Sequence, residues 1–112
     1  MDNLKVLFLV LNKTHVLEQL LLALSEAGIR GATVLNSSGM AHTVANREES
    51  PIIGSLRAFF NSSQEENNTV FMVLRESEIE KVKRIIYKVV GDLNKPDTGV
   101  LFCLPVDFIE GI

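Results

Sequence analysis

Few residues in this chain have the types and spacing to do chemistry, and the richest stretch is Ser38-Gly39-Met40-Ala41-His42-Thr43. His42, close after Gly39 in a polar stretch without periodicity, can contact a phosphate or a metal; its ordinary alternative is a solvated loop histidine. His15 stands at the start of a helical pattern and reads as surface. Glu48-Glu49 and Glu65-Glu66 can coordinate Mg²⁺ or meet a basic partner, although their simplest role is to keep the surrounding stretch solvated. Cys103 lies between Phe102 and Leu104 and reads as a small buried hydrophobe rather than a nucleophile. No nucleophile, base and orienting group stand in a recognisable arrangement. Nor is there a P-loop, a dinucleotide fingerprint, or a Cys/His/Asp grouping suited to a metal centre. The chemistry on offer is that of binding, not catalysis, and no catalytic or metal-ligating residue is assigned.

Composition narrows the classes further. The chain has 112 residues and a formal charge of -3, which fits one domain spanning 1–112 and gives no basic excess for nucleic acid or anionic lipid. Its single cysteine rules out an internal disulfide and argues against a cysteine zinc site. The apolar run Val6 to Leu11 is short, is preceded by Asp2 and leads to Asn12-Lys13, unlike a secretory leader. No stretch approaches the roughly 20 apolar residues that span a bilayer. A cytoplasmic protein without membrane insertion is expected.

The elements that must position these residues form a unit written twice. Leu4 to Leu11 is almost continuously apolar, as in a strand buried on both faces. Asn12, Lys13 and Thr14 offer a turn and cap; Val16, Leu17, Leu20, Leu21 and Leu24 then recur at helical spacing up to Gly28. A strand over Ala32 to Leu35 follows. The order repeats with a strand over Thr69 to Leu74, a Ser77–Glu80 capping box, and a helix. That helix has the stripe Ile79, Val82, Ile85, Ile86 and Val89, turns Glu80, Lys81, Lys83 and Arg84 to solvent, and ends at Gly91. The loop Asp92 to Thr98 leads to a last strand, Gly99 to Leu104, stopped by Pro105. A doubled βαβ unit predicts an α+β fold, a ferredoxin-like βαββαβ sandwich.

Asn36 to Glu66 separate the two units, against a usual connection of about 4–6 residues. Within this long loop between the second and third strands, Ile52, Ile53, Leu56, Phe59 and Phe60 follow Pro51 at helical spacing and predict a short helix over Pro51 to Phe60. Long connections of this kind are more often functional than incidental.

Three stretches resemble the P-II family of nitrogen-regulatory signalling proteins. Ala27-Gly28-Ile29-Arg30-Gly31-Ala32-Thr33-Val34 is similar to that family's E-x-G-x-x-G-x-T-V turn and second strand. Ser77 to Ile86 sits where its second helix begins, and Gly99-Val100-Leu101-Phe102-Cys103-Leu104-Pro105-Val106 is similar to its last strand, G-K-I-F-V-x-P-V. The resemblance implies a non-enzymatic regulator: a homotrimer holding an adenine nucleotide in clefts between subunits and signalling through its long loop to a membrane transporter or metabolic enzyme. It implies Gly31, Ala32 and Thr33 against the base, Gly39, Met40, Ala41 and His42 toward phosphate, and Asp97, Thr98 and Gly99 from the second loop. Thr33 also reads as an ordinary strand threonine. Arg47 and Arg57 would belong to the partner-binding loop.

The sequence departs from the family's phosphate motifs. Ala41 stands for the second glycine of K-G-x-G-R-Q and His42 for its arginine. Val100 stands for the lysine that closes the glycine-rich loop, and Glu110-Gly111-Ile112 brings no basic residue. With less positive charge, AMP or ADP, or another small ligand, is expected over ATP. The runner-up is the similar divalent-cation-tolerance family, a trimeric metal-binding protein, whose members usually carry tryptophan where this chain has none.

Overall fold

The computed structural model describes residues 3–40 and 66–111. The expected order is present: β1 (Leu4–Leu11), α1 (Leu17–Glu26), β2 (Thr33–Ser37), β3 (Asn67–Arg75), α2 (Ile79–Val90) and β4 (Gly99–Pro105), with 3-10 turns leading into both helices. The strands form one antiparallel sheet in the order β2-β3-β1-β4. Each helical crossover therefore passes over one strand of the other unit, so that the two βαβ units interlock. This is the ferredoxin-like α+β sandwich, with a long connection from Ser38 to Glu66 between β2 and β3. The helix expected over Pro51 to Phe60 lies outside the described residues.

Alternation along the strands divides the apolar side chains between two faces. Leu7, Leu9 and Leu11 of β1 and Val70, Met72 and Leu74 of β3 pack under the helices, meeting Leu20 and Leu24 of α1 and Val82, Ile86 and Val90 of α2. The opposite face is also apolar, and no other described element covers it. Phe71, Phe8 and Phe102 stack across β3, β1 and β4 with ring centroids 5.6 and 5.2 Å apart. Val100, Phe102 and Leu104 of β4 and Leu35 of β2 are about half exposed there. With the described helices on one face, large apolar side chains of the other stay partly wet, each worth about 1.5–3 kcal/mol when fully buried.

Both helices end as the glycines predict, Gly28 at φ 90° and Gly91 at φ 100°. Each helix end is also closed by a lysine. Lys81 Nζ of α2 donates to Ala27 O after α1 at 3.1 Å, and Lys13 Nζ donates to Val90 O at the end of α2 at 3.0 Å. A cation among the last carbonyls satisfies orphan acceptors and opposes the negative end of the helix dipole. Lys81 thus departs from the expected solvent face. A capping box stands at Arg75 and Glu78, ahead of the 3-10 turn Glu76–Glu78 that leads into α2, with Glu78 Oε1 accepting from the Arg75 N–H at 3.0 Å.

Cys103 is exposed, not buried. It lies on the helix-facing side opposite Leu7, but β4 is an edge strand and the helices cover the central strands. At the other end of β4, Gly99 permits a close approach that no other residue could make, because a Cβ there would lie 2.7 Å from Val10 O.

Candidate functional site

Strands β2 and β3 run further than their apolar residues indicate, and the extra length is polar. Asn68 Nδ2 donates to Asn36 Oδ1 across the pair at 3.0 Å. Ser37 Oγ donates to Asn67 Oδ1 and lies 2.9 Å from Thr69 Oγ1. Asn67 Nδ2 in turn donates to Asn12 Oδ1, just beyond β1, at 3.2 Å. The Asn12 and Lys13 N–H groups both donate to Thr98 O, at 3.1 and 3.3 Å. One end of the sheet is therefore a hydrogen-bonded polar band touching all four strands. From it the long connection departs.

Among the described residues, this band brings together part of the expected site. Gly39 abuts it, since a Cβ on that residue would sit 3.8 Å from Asn67 Nδ2. Thr98 is buried in it, with Oγ1 donating to Pro96 O at 3.2 Å. Asp97 is the one described non-glycine residue at positive φ, 57°, a left-handed conformation that aspartate tolerates better than most residues. Met40 is 84% exposed and free to meet a ligand or partner. Ala41, His42, Arg47 and Arg57 lie outside the described residues.

Gly31, Ala32 and Thr33 lie elsewhere. Gly31 and Thr33 are exposed and Ala32 packs beside the core. Thr33 is aligned with Phe71 and, through it, with Phe8 and Phe102, on the edge of the sheet opposite β4. Two strands separate β2 from β4, so the Thr33 and Asp97–Gly99 positions are roughly 14 Å apart across the sheet at a spacing of about 4.8 Å per strand. One chain alone does not close these two groups on a single small molecule.

A cleft among the described residues lies elsewhere. It runs between α2 and the free edge of β4, has a volume of about 770 Å³, and is lined by Leu7, Ile79, Lys83, Tyr87, Leu101 and Cys103 among others. It shares only Gly99 with the expected site. No group of three or more His, Cys, Asp or Glu side chains suited to a metal ion occurs among the described residues. No helix among them is long and apolar enough to cross a membrane.

Sequence reasoning gave Asn12 and Lys13 only a turn-and-cap role and passed over Ser37 and Asn67. The signal that would have found them is the pairing of Asn36-Ser37 with Asn67-Asn68 at the two roots of the long connection, where polar residues can continue a strand pair through side-chain bonds.

No protein-family model matches the chain and no curated protein matches it in sequence. Solved structures do share its fold. A functionally unknown protein from Pediococcus pentosaceus ATCC 25745 superposes with a TM-score of 0.64 at 18% identity, with 98% of each chain covered. The PII protein of Arabidopsis thaliana, solved bound to citrate, gives a TM-score of 0.63 at 19% identity over 94% of this chain and 78% of that one. At such identities the likeness is one of fold: a P-II-like sandwich of ferredoxin type.

Proposed function

We propose that this chain is a non-enzymatic, P-II-like regulatory protein that works as a homotrimer and senses a small anionic effector in clefts between subunits. The observation that carries this reading is the separation of Gly31–Thr33 from Gly39 and Asp97–Gly99 on a sheet whose middle is apolar and left uncovered by the other described elements. A second chain set against the first would bring the Gly31–Thr33 edge of one subunit near the Gly39 and Asp97–Gly99 end of its neighbour. The Phe71–Phe8–Phe102 ladder and its valine and leucine neighbours would then form the interface core. The site would thus exist only in the assembly.

The effector is an adenine nucleotide with few phosphates, AMP or ADP before ATP. Lys13 already serves the end of α2, Asp97 adds negative charge to the turn, and Val100 offers none. Little positive charge is left for a triphosphate. The connection between β2 and β3, with Arg47 and Arg57, is the surface presented to a transporter or enzyme. Effector contacts at Gly39 to His42 favour one of its arrangements, and only one arrangement fits the partner. Static light scattering with nucleotide titration tests the reading: a mass near three chains with saturable AMP or ADP binding supports it, and a monodisperse monomer removes the cleft.

A further inference from the structure

A chain of hydrogen bonds crosses the polar end of the sheet. Ser37 Oγ faces both acceptors of Asn67, the side-chain Oδ1 and the backbone O at 3.3 Å, and lies 2.9 Å from Thr69 Oγ1. The Asn67 amide then donates from Nδ2 to Asn12 Oδ1 at 3.2 Å, and the Asn12 N–H ends on Thr98 O at 3.1 Å. Asn67 is 9% exposed and Thr98 5%, so water does not replace a partner that moves away. A carboxamide is planar and rigid. Any rotation that keeps its bond to Ser37 while Ser37 shifts must disturb its bond to Asn12.

We propose that Asn67 is a positioning residue that couples the Ser37–Met40 root of the long connection to the Asp97–Gly99 turn, so that displacement of either resets the other. The inference deepens the P-II-like reading by giving its two phosphate-side segments a joint response. It rests on that reading only for its use, because the coupling is a property of the unliganded chain. The neighbouring Asn36–Asn68 bond supplies an internal control: it lies on the same edge, one residue away, and connects to neither Asn12 nor Thr98.

The test is amide hydrogen exchange by NMR on the full chain without nucleotide, read at Asn12 and Lys13, whose N–H groups end on Thr98 O. Ser37→Ala and Asn67→Leu should each speed exchange at both amides by about five-fold, while Ser37→Thr, which keeps the hydroxyl, stays near wild type. Asn36→Ala should leave both amides unchanged, and the amides of Leu20 to Leu24 in α1 should hold their protection in every variant. Should Asn67→Leu fail to fold, Ser37→Ala decides alone. Unchanged exchange in Ser37→Ala, or equal acceleration by Asn36→Ala, overturns the coupling whether or not a nucleotide binds. Coupling without any nucleotide binding would instead retain the inference and remove the reading above it.

Discussion

Replacing Phe102 by serine should dissolve the assembly while leaving the chain folded. In the single chain Phe102 is 44% exposed, so assembly has about 90 Å² left to bury on it out of the roughly 200 Å² that a buried phenylalanine removes from water. At about 25 cal/mol per Å² that is about 2 kcal/mol per chain and about 6–7 kcal/mol for three chains. Because a trimer constant carries concentration squared, the midpoint of dissociation should rise about 100-fold or more, at tenfold per 1.4 kcal/mol. Within one chain the loss is smaller: the stack on Phe8, with centroids 5.2 Å apart and planes 11° from parallel, is worth about 0.5–1.5 kcal/mol. Light scattering over a dilution series, paired with urea unfolding, separates the two effects. Leu22→Ser is the matched control, since Leu22 is 61% exposed on α1, on the helical side of the sheet. If Phe102→Ser and Leu22→Ser shift the midpoint alike, or neither shifts it, the uncovered face is not the interface.

Three further outcomes are expected. Gly99→Ala should destabilise the fold by about 1–3 kcal/mol, because its Cβ would meet Val10 O at 2.7 Å; wild-type stability in urea would show that β4 sits differently. Lys13→Met and Lys81→Met should each cost about 1 kcal/mol by loss of a helix-end contact, with nearly additive effects in the double variant; no loss in either would mean that the two contacts at 3.0 and 3.1 Å contribute nothing to stability. Val100→Lys should raise affinity for ADP and ATP relative to AMP, measured by calorimetry at a concentration where light scattering still gives the mass of the assembly, and an unchanged ratio in the intact assembly would place the phosphates away from the start of β4.

The fold was legible because its signals are long and periodic. The apolar run of β1 marks a central strand, and the stripes through Leu20 and Leu24, and through Val82 and Ile86, mark helices with one buried side. What sequence alone could not supply was position within the sheet. Cys103 sits in an apolar run as Leu9 does, yet β4 is at the edge and β1 at the centre. Burial belongs to strand order, which no local pattern encodes. The polar strand ends were missed for a related reason. Asn36-Ser37 and Asn67-Asn68 look like loop until they face each other, when their side chains take over the work of apolar contacts. Lys13 and Lys81 each cap a helix in the other half of the chain, a contact visible only once the two units interlock. Of the candidate site, the turn at Asp97 and the root at Gly39 share one end of the sheet. Gly31 to Thr33 do not join them within a chain.

Calorimetric titration of AMP, ADP and ATP into the wild-type protein, and into Phe102→Ser, probes the proposed function most directly. A sensor with clefts between subunits should bind AMP or ADP saturably at one site per chain, more tightly than ATP, and should lose that binding in the dissociated variant. Nucleotide binding that survives intact in a monomer, tight magnesium-dependent ATP binding, or no heat with any of the three would contradict it.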